Sequence, residues 1–325
     1  SWIDIHQPYW SLRYTPIYSI KEPSVLLPLG IGQSEQYGYY KKITFWSSTY
    51  DNDMVEEIAN PERLVNGNID FSFLVIHLLP LLLIILTYNV GGLEKDAGFE
   101  KLITTQFGSI SKWLAIRFAF YVMLLLLTII IFIFSVAFIN NGLGMLFSDL
   151  GALLVLAIGY TLFFAALLFT ALLYSTGSSS SAFNMIGIWL LLCVVVPGSV
   201  HQYANVKFPV SYMTDYLDVN RKETYATYSL PSEVLSQNIL NLYPVLSETK
   251  YGHSEQMDEN IIRRSVYAII NDMNKTAVVQ IEKNNDQKNQ LIRSSYWYNP
   301  ITFVQNTWNS YTASDYYAYQ KYRNY

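Results

Sequence analysis

The chain has 325 residues and is 51% hydrophobic and 16% aromatic but only 14% charged, well below the roughly 25% charge of a soluble globular domain, so the deficit points to lipid. A net charge of −4 excludes the clustered basic footprint of a nucleic-acid binder. One cysteine, Cys193, and four scattered histidines (His6, His77, His201, His253) exclude an internal disulfide and give no zinc-type spacing.

The chain opens on Ser1-Trp2-Ile3-Asp4, which has no signal-peptide pattern, and closes on a helix-like run from Gln320 to Tyr325. The native protein is therefore expected to continue at both ends. Residues 1–70 are mixed and aromatic, with turn signals at Asn60-Pro61 and Asn66-Gly67. Four apolar runs follow at about 71–90, 113–139, 150–174 and 183–200. Each approaches or exceeds the roughly 20 helical residues that cross a bilayer core of about 30 Å. The predicted architecture is a mainly α, polytopic membrane protein. It has an outer segment 1–70, a membrane domain 71–200 with a loop at 91–112, and an outer helical domain 201–325.

Short loops set the orientation. Residues 91–112 carry Lys95, Lys101 and Lys112, with Arg117 just beyond, while 140–149 and 175–182 carry no Lys or Arg. The basic loop is expected to be cytoplasmic, which leaves 1–70 and 201–325 outside. Pro80 is expected to kink the first span, and Pro197-Gly198 to end the fourth. His77 is the one ionisable residue well inside a span. Together with Thr128, Ser135, Thr161 and Asn184 it is a candidate for a translocation path or for bonds between helices.

In the outer domain, Pro231-Ser232-Glu233 reads as a helix start with Ser232 as N-cap, and Pro244 as its end. A second helix is predicted from about Ser254 to Ser294, with Ile262, Val266, Ile269, Ile270, Met273 and Ala277 on one stripe. Its polar stretch Glu282–Gln290 is expected to be solvated or frayed, and the two helices to pair. Sixteen of the 27 tyrosines lie beyond residue 200, where they suit a headgroup surface or a binding surface.

The loop 91–112 carries the functional signal. Gly91-Gly92 breaks the first span, and a short amphipathic helix then presents Leu93, Phe99, Leu102 and Ile103 as apolar anchors for a membrane surface or a partner's groove. No G-x-x-x-x-G-K-[ST] phosphate loop occurs. No nucleophile elbow surrounds Ser178–Ser181, and no paired His or carboxylates that would serve a membrane redox enzyme lie in the spans.

Here the sequence resembles the ABC-2 type permeases, whose loop between the second and third spans carries a Glu followed by Gly-Thr-Leu-like residues. Glu94, Gly98 and Leu102 match, with Phe99 where Thr is common. The runs Asn60-Pro61-Glu62-Arg63-Leu64, Gly67-Asn68-Ile69-Asp70-Phe71 and Leu79-Pro80-Leu81 resemble the NosY-like branch, as do Asn299-Pro300 and Ala313-Ser314-Asp315. The resemblance implies six spans in the whole protein, one before Ser1 and one after Tyr325, in a bacterial inner membrane. It implies a coupling helix built from Glu94, Lys95, Gly98, Phe99, Glu100, Lys101, Leu102 and Ile103. Glu94, Lys95, Glu100 and Lys101 would be rim contacts to a cytoplasmic ATPase dimer.

The expected function is that of a transport subunit, not an enzyme: export of an unidentified substrate. It has no cofactor of its own, ATP and Mg²⁺ sitting on the partner. A second permease half, identical or not, and membrane lipid complete the expected partners. The alternative is a mechanotransmission subunit that passes ATPase-driven motion to a periplasmic partner.

Overall fold

The computed structural model describes residues 17–32, 34, 40–43, 69–145, 147–209, 221–222, 224–249 and 259–323. The turn signals at 60–67, the run Asn60–Leu64 and the expected helix start at Ser254 lie outside the described residues. The elements in chain order are β1 (Ile17–Ile20), β2 (Tyr40–Ile43), α1 (Phe71–Thr87), α2 (Gly92–Asp96), α3 (Glu100–Phe107), α4 (Ile110–Ile139), α5 (Asp149–Tyr174), α6 (Ser178–Lys207), α7 (Ser232–Leu242), α8 (Glu259–Ser294), α9 (Pro300–Tyr311) and α10 (Tyr316–Arg323).

Helices α4, α5 and α6 have 30, 26 and 30 residues and are long and apolar enough to cross a membrane. At 1.5 Å per residue they measure about 45, 39 and 45 Å, more than the hydrocarbon thickness of about 30 Å. The protein is thus mainly helical and membrane-spanning. Helix α1 is apolar but shorter, about 26 Å. It starts where Asp70 supplies an N-cap: the carboxylate accepts from Phe73 N–H at 2.8 Å and from the Ser72 hydroxyl at 2.6 Å.

The described residues fall into two compact units. One lies within 20–39, 60–203 and 292–325, the other within 1–19, 40–59 and 204–291. In the first, α5 is central, packed by α1, α4, α6 and α9. Helix α4 buries Leu114, Phe118, Val122, Leu125, Ile129, Ile133 and Ala137. These residues recur every three or four positions, so one stripe faces protein and the rest of the helix faces outward. Helix α5 buries a broader arc, from Leu150 to Leu172.

Two π-helical turns, Leu74–Leu78 and Leu191–Val195, precede Pro80 and Pro197. A proline has no N–H for the carbonyl four residues back. For Pro80 that carbonyl belongs to Ile76, and the Tyr160 hydroxyl donates to it. The next carbonyl, of His77, accepts from Trp189 Nε1 at 3.1 Å. Neighbouring helices thus satisfy what the proline leaves open. The expectation that Pro197-Gly198 ends the fourth span is corrected: the wide turn absorbs the proline and the helix runs on to Lys207. The same helix begins at Ser178, so the expected loop 175–182 contracts to Ser175–Gly177.

Residues 292–325, read from the sequence as part of a separate domain 201–325, join the membrane helices instead. Ile301 and Val304 of α9 share a core with Ile76, Tyr160, Phe164 and Cys193. Phe164 lies 15 residues along α5, about 22 Å from its start, so α9 begins near the middle of the span. Backbone at such depth must be enclosed by protein. Asn299 is fully buried, and its side chain caps α9 by accepting from Thr302 N–H.

The other end of α9 holds Trp308, buried with Leu26, Leu29, Leu150 and Leu153 and donating to the Leu29 carbonyl at 2.8 Å. Ser314 is buried against Thr312, and Asp315 accepts from Ala318 N–H at the start of α10. Burial holds the Asp315 carboxyl above its usual range, against the pull of the backbone bond and of Lys21 and Arg293.

In the second unit, Leu235 and Ile239 of α7 pack with Val266, Ile269 and Ile270 of α8, the pairing that their spacing predicts. Pro231, rather than Ser232, occupies the N-cap of α7. Helix α8 continues unbroken through Glu282–Gln290, contrary to the expected fraying. Most of that stretch is half-buried, and Gln280 bonds Asn284 one turn on at 3.0 Å.

Candidate functional site: the junction around residues 89–117

The end of α1 unwinds at Tyr88–Gly91, and the chain turns into α2 and α3 before entering α4. Three consecutive charges in α2 each serve a different span. Glu94 Oε1 pairs with Arg117 Nη1 of α4 at 2.6 Å, and the Arg117 guanidinium also lies 4.5 Å from the ring centre of Trp113. Lys95 Nζ donates to the carbonyl of Ser175 at 2.6 Å. That residue caps the C-terminus of α5, where a cation suits the negative end of the helix.

Asp96 Oδ2 accepts from the Ser178 hydroxyl at 2.6 Å and from its N–H at 3.3 Å. Ser178 opens α6, and a carboxylate there suits the positive end. The Ser178 hydroxyl also stands 2.8 Å from Asn89 Oδ1, so the last turn of the α1 segment joins the same cluster. The approach is close: a Cβ on Gly92 would come within 2.7 Å of the Ser178 backbone, so only glycine fits.

Beyond Asp96 the chain bends at Gly98, whose φ of +75° favours glycine, and α3 follows. The single amphipathic helix expected here is therefore two short ones. No residue of α3 is buried. Phe99, Leu102 and Phe107 are more than half exposed and Ile103 is half-buried. At 100° per residue these four fall within an arc of about 140° that also holds the polar Gln106, with Glu100, Lys101, Thr104 and Thr105 opposite. The result is an apolar face on a short helix, attached by glycines at both ends.

The residues expected to form a coupling helix thus separate into two groups. Gly98, Phe99, Glu100, Lys101, Leu102 and Ile103 stand clear of the spans. Glu94 and Lys95, expected as rim contacts, are instead committed within the chain, because an ion pair and a helix end already hold them. Asp96, Asn89, Ser175 and Ser178 complete the junction. The sequence offers little sign of them beyond the alternation Glu94-Lys95-Asp96 and the helix-starting Ser178.

The candidate path residues do not converge. Thr128, Ser135 and Thr161 donate to the carbonyls of Leu124, Ile131 and Ala157 in their own helices, a common use of hydroxyls inside helices. Asn184 is exposed on α6. His77 is half-buried in the π turn of α1, its ring 5.0 Å from that of Phe73. No family model, curated protein or solved structure matches this chain.

Proposed function

We propose that this chain is the permease subunit of an ABC-2 type exporter in a bacterial inner membrane, driven by ATP hydrolysed on a separate cytoplasmic ATPase dimer. The observation that carries the reading is α3: an apolar helix face, unburied, set at the basic end of the spans. Lys101 and Lys112 on this loop argue that it faces the cytoplasm. An amphipathic helix of this kind fits a groove on a partner. On this reading α1 crosses the membrane alongside α4, α5 and α6, and a second permease half completes the transporter.

One structural feature favours the alternative of mechanotransmission. Among the described residues the packed faces of the spans are mainly apolar, their few buried polar side chains including Ser72, Thr87, Thr161 and Ser181, and the hydroxyls of Thr128, Ser135 and Thr161 are spent on their own helices. In the exporter reading the path therefore lies between two permease halves, not inside one.

The test is gentle purification of the full-length protein from its native membrane. A stoichiometric nucleotide-hydrolysing subunit is expected to accompany it and to be lost from the double variant F99D/L102D, with the spans still folded. A parent protein that emerges without such a subunit contradicts the proposal.

A further inference from the structure

The loop from α5 to α6 is only Ser175–Gly177, and α6 starts without a cap of its own. Its N-cap position is Gly177, in extended backbone and with no side chain to accept a bond. One of the free N–H groups of its first turn, that of Ser178, is met instead by Asp96, 82 residues earlier in the chain, which also accepts from the Ser178 hydroxyl. A Cβ on Gly177 would meet Asp96 Oδ1 at 2.4 Å, so the carboxylate occupies the space a local cap would need.

Meanwhile Lys95 holds the end of α5, the most buried of the three long spans, and α6 is the least buried. The start of α6 is therefore tied to α2 while the rest of the helix has the fewest contacts resisting displacement.

We propose that Asp96 is a positioning residue for transport: it fixes the start of α6 to the loop that carries α3, so that a push on α3 shifts α6 against α5. This rests on the permease reading above. A local cap would also stabilise the start of α6 but would leave it joined to the loop only through the contacts of Ser178 with Asn89 and Gly92. Placing the cap on the loop makes the two move together.

The experiment uses the full-length protein with its co-purified ATPase, with Cys193 and every cysteine outside residues 1–325 replaced by alanine and one reporter cysteine, S179C, placed at the exposed first turn of α6. The rate of labelling by a water-soluble maleimide is measured with and without ATP. The parent is expected to show a nucleotide-dependent rate. D96N, which still accepts both hydrogen bonds, is expected to keep it, and D96A to lose it while retaining the ATPase.

The deciding variant is D96A/G177D, which restores a cap locally in the space the aspartate leaves. Its thermal stability is expected to return to that of the parent while the nucleotide response stays absent. Recovery of the response as well would make Asp96 a helix cap only and overturn the inference, as would a response that survives in D96A. A parent with ATPase bound but no nucleotide-dependent labelling also overturns it and leaves the permease reading intact. A parent with no ATPase bound removes that reading and the inference with it.

Discussion

Glu94 places one carboxylate oxygen on Arg117, while the other, Oε2, is buried without a hydrogen-bond partner among the described residues. Removing the guanidinium alone leaves a largely enclosed charge unpaired. R117A is therefore expected to cost about 1.5–3 kcal/mol, the worth of a hydrogen bond to a charged group. The double variant E94M/R117M should recover most of that, because an apolar pair leaves nothing unsatisfied; thermal melting in detergent compares the three proteins.

Asp315 gives a prediction in pH. Its carboxyl titrates above the usual range because burial disfavours the charge. The folded state then holds a proton that the unfolded chain has already released, so this group's contribution to stability falls as pH rises through the raised value. D315N keeps an acceptor for Ala318 N–H and removes the titration. Its melting temperature is expected to vary less between mildly acidic and neutral pH than that of the parent.

At this scale the sequence is legible only for local features. The start of α1 after Asp70 can be read because the cap and the apolar run adjoin. The partners of Lys95 and Asp96 lie about 80 residues away, at Ser175 and Ser178, and pairing over that distance leaves no periodic mark.

The spans are recognisable as elements because uninterrupted apolar runs in a low-charge chain have few other uses. Their ends are less so. Pro197 carries the usual signal of a helix stop, yet the π turn Leu191–Val195 precedes it and the helix runs on. Trp189 is part of the accommodation around Pro80. W189F keeps the ring area but withdraws the donor from the His77 carbonyl. It is expected to destabilise the protein by about 1 kcal/mol, the net worth of an ordinary hydrogen bond, measured as a lower melting temperature with unchanged helical content. Helix α3 offers the contrast: since none of its residues is buried, charge placed at Phe99 or Leu102 should leave melting unchanged while abolishing partner binding.

For the whole molecule, the sequence divides into loop, spans and flanking segments, and the structure redraws one boundary. Residues 292–325 resemble an aromatic outer tail, because Tyr and Trp suit an interface and α9 is too short to register as a span. Packing places α9 against the central helix α5, where Asn299 caps it in a fully enclosed position. N299A is expected to cost about 1–2 kcal/mol as the loss of a cap, and to loosen the α9–α5 contact first, which hydrogen exchange at residues 301–304 would register. The same long-range packing gathers Asn89, Arg117, Ser175 and Ser178 around three consecutive charges, making the basic end of the spans one joined surface from which α3 projects.

On the permease reading, this projecting face meets a nucleotide-hydrolysing partner. A photoreactive amino acid in place of Leu102 in the full-length protein, irradiated in intact native membranes, tests it most directly, with the outward-facing Leu127 of α4 as control. The expected result is a covalent adduct between position 102 and a nucleotide-binding subunit, absent from position 127. Adducts from position 102 with lipid alone, as from position 127, would contradict the account and make α3 a membrane-surface anchor.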